Sequence, residues 1–202
     1  MGANINLGLL QQHFFFIRHG QTDWNQQKIA MGQADVPLNR RGEEEARQAA
    51  RILREHGITR ICHSPLKRAR ITAQLIADEL ALPCEEIAAL SQCNWGVMQG
   101  QPRGDEAWRM AWRRGEIEIE GAETFNEFCH RVRNGINQAL AHGEPALIVA
   151  HGATFAVIQR ELRLEDREMQ NCLPLRYRPP TTGEANWQVT ELTEFPQFEL
   201  VS

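Results

Sequence analysis

An apolar run, Phe14-Phe15-Phe16-Ile17, stops abruptly at Arg18-His19-Gly20 and passes into the polar stretch Gln21-Thr22-Asp23-Trp24-Asn25. Bulky and β-branched residues in succession read as a strand buried on both faces. Arg18 and His19 therefore fall at its carboxyl end, where open parallel sheets place ligand chemistry. Arginine offers a planar fork of donors to phosphate oxygens, and histidine a nitrogen nucleophile that is neutral near pH 7. Gly20 lets the backbone approach closely. Such a trio suits phosphoryl transfer; the plainer reading is a strand ending in a cationic turn.

Companions recur along the chain. Ile61-Cys62-His63-Ser64-Pro65-Leu66-Lys67-Arg68-Ala69 is a strand end, a turn and a helix start that bring a second arginine, and Ala146-Leu147-Ile148-Val149-Ala150 runs straight into His151-Gly152. Seven histidines need sorting. His142-Gly143 and His56-Gly57 close helical stripes, where glycine caps and histidine favours the dipole. His13, His63 and His130 show no cluster partners, and His63 is read as supporting or incidental. Only His19 and His151 follow buried strands.

These motifs taken together resemble the histidine phosphatase superfamily, also called phosphoglycerate mutase-like. The matching text is Arg18 to Asn25, then Gly32-Gln33-Ala34-Asp35-Val36-Pro37-Leu38-Asn39 with Gly42, then Ser64 to Ala69 with Thr72-Ala73, and His151-Gly152. The likeness runs from about residue 14 to at least residue 162. It implies that His19 is the nucleophile and becomes a transient phosphohistidine, splitting one displacement into two easier ones. Arg18 and Arg68 would grip the phosphoryl oxygens, and His151 would donate another hydrogen bond as charge builds. Thr22 and Asn25 match positions touching the phosphate or its ester oxygen, and Gly20, Gln92 and Gly152 complete the expected substrate-binding set. The Ser-x-Leu-x-Arg-Ala register selects Arg68 over Arg70. No metal or other cofactor is required, since the cations replace it. A hydrogen bond from the other nitrogen of His19 to a backbone carbonyl is expected to fix its tautomer.

One position departs from the family pattern. The family carries a glutamate two residues after a leucine and four before a glycine, as general acid for the leaving alkoxide. Here Leu90-Ser91-Gln92-Cys93-Asn94-Trp95-Gly96 has Gln92 in that place. Glutamine cannot deliver the proton, and general acid assistance is worth about 10²- to 10⁴-fold. Poor alkoxide leaving groups lose most. Phosphohistidine, acyl or aryl phosphates and phosphoanhydrides lose less. Glu85, Glu86, Asp105 and Glu106 are nearby carboxylates, each read first as a solvated charge.

The elements that must position these residues alternate. Arg40 to His56 has Ala46, Ala49, Ala50 and Leu53 on one helix face, with Gly57 as the stop. Ile58 to Cys62 reads as a strand, Lys67 to Leu80 as a helix ended before Pro83, and a short connection leads to Leu90. Residues 92–121, with Trp95, Trp108 and Trp112, read as a loop with a short helix covering the substrate. Thr124 to Ala141 is an amphipathic helix with Phe125, Phe128, Val132, Ile136 and Leu140 on one face and Thr124 near its cap. The strand Ala146 to Ala150, a helix Thr154 to Leu162 and one or two final strands, including Trp187 to Leu192, follow. The expected fold class is α/β, a three-layer α/β/α sandwich with a mostly parallel central sheet.

A chain of 202 residues, 42% hydrophobic and 24% charged, reads as one globular domain over 1–202, with 1–12 as a flexible lead-in. The net charge of −4 argues against a general nucleic-acid binder, while arginines gather at the motifs as an anionic substrate requires. Five cysteines without a Cys-x-x-Cys pair indicate neither a disulfide framework nor a zinc knuckle, which favours reduced thiols in the cytoplasm. No signal peptide or membrane span is legible. The leading reading is a cofactor-independent phosphatase acting on small phosphorylated molecules or phosphorylated side chains. A phosphoglycerate mutase-type phosphotransferase is the alternative, disfavoured because such mutases tend to be longer and rely on the missing glutamate. A phosphate-binding module that has lost turnover is the third.

Overall fold

The computed structural model describes residues 9–105, 107–165, 167–182, 184 and 186–193. Most of the expected lead-in and Glu106 lie outside these residues. Six strands form one sheet: β1 (Phe14–Arg18), β2 (Arg60–His63), β3 (Cys84–Glu86), β4 (Ala146–Ala150), β5 (Leu175–Arg178) and β6 (Gln188–Glu191), in the spatial order β3-β2-β4-β1-β5-β6. The first four in that order run parallel, while β5 is antiparallel to both β1 and β6. Among the described residues six α-helices accompany them: α1 (Asp23–Gln26), α2 (Arg40–Leu53), α3 (Lys67–Leu80), α4 (Ala107–Arg114), α5 (Phe125–Leu140) and α6 (Gly152–Glu161).

Strand alternation divides the core. Phe15 and Ile17 of β1 join Leu147 and Val149 of β4 under Ala46, Ala49, Ala50 and Leu53 of α2 and Ala69, Ala73 and Ile76 of α3. Phe14, Phe16 and Ile148 point the other way, onto Phe128, Val132 and Ile136 of α5 and Phe155 and Ile158 of α6. With helices on both faces, central strands must be apolar on both sides, and every residue of β4 is indeed buried. The three-layer arrangement expected from the sequence is thus present.

Boundaries differ in instructive ways. Helix α2 stops at Leu53 rather than His56, because the apolar stripe ends there and the chain turns before Gly57, whose φ is 69°. Helix α3 ends at Leu80 on Ala81, which takes the left-handed conformation without being glycine. The segment expected only to connect Pro83 with Leu90 contains β3, a short edge strand of mostly exposed polar residues with no apolar pattern to announce it. Helix α6 begins directly at Gly152, two residues earlier than expected, with His151 as its N-cap. Thr124 caps α5 as expected, in a capping box with Glu127.

Candidate active site

Three adjacent strands, β2, β4 and β1, bring the expected residues to one rim of the sheet. His19 continues the ladder past β1 by donating its N–H to the Ala150 carbonyl at 3.0 Å, and Ser64 N–H does the same past β2 toward Val149 at 3.1 Å. His19 retains 1% of its surface, and Arg68 and His151 retain none. A Cβ placed on Gly152 would lie 3.8 Å from Nε of Arg18, so the second His-Gly pair seats the first arginine.

The electrostatics show that these four groups share one environment. Burial, then Arg68 and Arg18, push the pKa of His19 well below the usual histidine range. His151 is lowered likewise by burial first, then by Arg68, His19, Arg18 and Arg131. Both rings are therefore neutral at pH 7. Burial brings even Arg68 down to about 10, against the opposing pull of Asp35. A cluster of cations and neutral imidazoles, largely removed from water, is built for an anion.

His19 Nδ1 lies 2.7 Å from the carbonyl oxygen of Gly20. A carbonyl only accepts, so Nδ1 carries the proton and Nε2 keeps its lone pair. Gly20 itself is held by Thr72, whose hydroxyl accepts its N–H at 3.0 Å. No side chain fits there, since a Cβ on Gly20 would sit 2.3 Å from the Gly42 carbonyl. The Arg18 Nη1 donates to the Met169 carbonyl at 2.8 Å, Cys172 N–H to the Arg18 carbonyl at 2.9 Å, and Asn171 Nδ2 to the His19 carbonyl at 2.7 Å. A strap from the last part of the chain thus fixes the nucleophile loop. Met169 and Asn171 stand in no sequence motif noted above, and nothing local marked them.

Arg68 is engaged differently from the expectation of a fork gripping phosphate. Its two terminal nitrogens donate to the Ala34 and Gly32 carbonyls, each at 2.7 Å, while its Nε is buried without a hydrogen-bond partner among the described residues. Thr22 and Asn25 are joined to each other as the capping box of α1, with the Asn25 side-chain oxygen accepting from Thr22. Gln92 begins the segment expected from the sequence to cover the substrate. Its side-chain oxygen accepts from Cys93 N–H at 2.9 Å, and its carbonyl accepts from Gln33 Nε2 at 3.1 Å. Gln33, between the two carbonyls that hold Arg68, therefore joins the cradle to that segment.

The aromatic residues of that segment extend the core on the α5 face of the sheet. Trp95 meets Trp108 and Trp112 edge to face at 5.2 and 4.5 Å, and Trp112 meets Phe125 at 5.0 Å. Arg131 of α5 donates to the carbonyls of Ala89, Ser91 and Gln92 and pairs with both oxygens of Glu123. Beside it opens a cleft of about 750 Å³ lined in part by Trp112, Arg113, Ile117, Phe125 and Arg160. His63, read as incidental, is buried at the end of β2 with Nδ1 2.8 Å from the Ser64 carbonyl. Among the described residues no group of three or more His, Cys, Asp or Glu side chains is placed to hold a metal ion.

The model of the histidine phosphatase superfamily (branch 1) matches residues 14–180. This chain belongs to that superfamily. Among its relatives, the uncharacterized phosphatase PhoE of Bacillus subtilis is 34% identical over 158 residues, covering 77% of this chain and 79% of the relative. The probable phosphoglycerate mutase GpmB of Escherichia coli is 34% identical over 155 residues, covering 71% of each. The superfamily fold is shared with a mycobacterial glucosyl-3-phosphoglycerate phosphatase in complex with VO3, at a TM-score of 0.75 and 24% identity, over 88% of this chain and 97% of that one. A phosphoglycerate mutase from Thermus thermophilus aligns with a TM-score of 0.72 and 23% identity, over 90% of this chain and 99% of the other.

Proposed function

We propose that this chain is a phosphatase that hydrolyses small phosphorylated molecules or phosphorylated side chains through a phosphohistidine on His19, without a metal or organic cofactor. The observation that carries this reading is the bond from His19 Nδ1 to the Gly20 carbonyl, which leaves Nε2 unprotonated among cations. In the first step Nε2 attacks phosphorus, the ester P–O bond breaks, and the leaving group departs with the electron pair. Water then attacks phosphorus, the P–N bond breaks, and inorganic phosphate leaves. Arg18, Arg68 and His151 counter the charge on the phosphoryl oxygens in both steps, and Gly20, Gly152, Thr22 and Asn25 shape the cradle around them. Contact of Arg68 with phosphate through its fork requires the Gly32 and Ala34 carbonyls to give way; contact through Nε does not.

With Gln92 at the place of the acid, the leaving group must depart without a proton from that position. The preference we assign is for leaving groups of low pKa, such as aryl phosphates, acyl phosphates and phosphohistidine, over alkyl phosphates. The names of the relatives, phosphatase and mutase alike, support a small phosphorylated substrate. The five cysteines are free thiols, which fits the reducing cytoplasm, and residues 14–180 would act as one catalytic unit under the cover of residues 92–121.

Incubation with a labelled aryl phosphate, rapid quench and peptide mapping tests the proposal. The expected result is an acid-labile, base-stable label on the peptide containing His19, absent from His19→Ala. Turnover without such an adduct removes the covalent mechanism, and binding without turnover leaves a phosphate-binding module. Transfer of isotopic phosphate between positions of one product, in place of release, would identify a mutase.

A further inference from the structure

The two imidazoles of the cradle are anchored at opposite nitrogens. His19 uses Nδ1, against a carbonyl; His151 uses Nε2, 2.8 Å from the hydroxyl oxygen of Ser64. A hydroxyl can donate or accept, so its other contacts decide the direction. Leu66 N–H donates to the same Ser64 oxygen at 3.3 Å and occupies one of its lone pairs. Ser64 is wholly buried, and among the described residues the acceptor within reach of its hydroxyl proton is Nε2 of His151. If Nε2 were the donor instead, the serine O–H would be a buried donor without an acceptor, an unfavourable arrangement.

With the serine proton directed at Nε2, the ring proton stands on Nδ1. That atom is buried and without a hydrogen-bond partner among the described residues. We propose that Ser64 is a positioning residue that holds His151 as its Nδ1–H tautomer, making it a neutral hydrogen-bond donor to the phosphoryl group, opposite in role to His19. A backbone carbonyl selects a nucleophile on one strand end; a serine two strands away selects a donor. The tautomer follows from Ser64 alone, whereas the use of the donor rests on the phosphatase reading above.

The tautomer is read directly from long-range ¹H–¹⁵N correlations of the ¹⁵N-labelled full chain at neutral pH, with His151 assigned by comparison with His151→Gln. Expected are a protonated Nδ1 in the wild type and in Ser64→Thr, and a shift toward the Nε2–H form in Ser64→Ala. For an aryl phosphate, kcat is expected to fall about 10- to 100-fold in Ser64→Ala, somewhat less than the loss of a whole preorganised donor, with KM changed less than about threefold and Ser64→Thr retaining most of the rate. A merely structural serine would lower stability without moving the tautomer. A wild-type His151 protonated at Nε2 overturns the proposal, whatever the variants do. So does an unchanged tautomer in Ser64→Ala. A correct tautomer with neither turnover nor an adduct on His19 would leave the role of Ser64 on the ring standing and overturn the phosphatase reading instead.

Discussion

The cradle at the ends of β1, β2 and β4 and the proposed cover, residues 92–121, are built differently. In the cradle most polar atoms are held by another part of the chain, often by backbone. Arg68 Nε and His151 Nδ1 are left without a partner among the described residues, and His19, Arg68 and His151 are sealed from water. The cover consists of turns and the two-turn α4, and its Trp95 and Trp112 extend the core beneath α5. It is tied to residues 28–33 through Gln99, Gly100, Gln101 and Arg103, and Arg131 and Glu123 anchor it to α5. A phosphoryl group is the same in every substrate, so its site can be rigid and preorganised. The rest of the substrate varies, and on the proposed reading exposed side chains of the cover, such as Val97, Met110 and Ile117, can change with it while its backbone ties stay.

Breaking the cradle should have the largest effect. His19→Asn is expected to lower kcat by about 10⁴-fold or more and to abolish the covalent adduct, as measured by steady-state turnover and quench labelling. Next comes Arg68→Lys, expected to cost about 3 kcal/mol of transition-state stabilisation in kcat/KM, because a point charge cannot replace Nε and the fork together. A result near wild type would show that Arg68 serves only to hold the Gly32 loop. In the cover, Gln92→Glu is expected to raise alkyl phosphate turnover by about 10²-fold while leaving aryl phosphates within a few-fold. Unchanged alkyl turnover would mean that another group donates the proton.

Acid should also tell the regions apart. His19 and His151 have folded-state pKa values well below 6.5, so the unfolded chain binds more protons and stability falls as pH drops through 6.5. Denaturant titrations at pH 7.5 and 5.5 should differ by up to about 1.4 kcal/mol for each of the two rings, and replacing one by a neutral side chain should remove its share. The mildest expected change is in Arg131→Met, which releases residues 89–92 from α5. It should cost about 1–2 kcal/mol of stability and alter KM more than kcat, readable by thermal unfolding and substrate profiling.

Much of the cradle was legible because strand ends are local events. An apolar run meeting Arg-His-Gly or His-Gly announces both the strand and the residue it presents, and the Ser-x-Leu-x-Arg spacing fixed the register of Arg68 at the start of α3. What was not legible depends on pairings across the chain. Asn171 holds a backbone carbonyl 152 positions away, and Met169 meets Arg18 through its backbone carbonyl, so neither tie leaves a mark in residue type or period. The Arg68 fork bonded to carbonyls was invisible for the same reason. Strand β3 escaped because an exposed edge does not need apolar residues, and Ser64 because a serine in a turn resembles any other until its neighbour His151 is known.

The tie between His19 and Asn171 has a consequence for how the protein is made. Synthesis proceeds from the amino end, so the nucleophile emerges early and waits for most of the chain before its restraint exists. Contacts spanning such distances also form slowly, since long loops must close first. A nascent chain halted before residue 169 would carry His19 and both clamp arginines, yet lack the strap that fixes the attacking ring's own backbone.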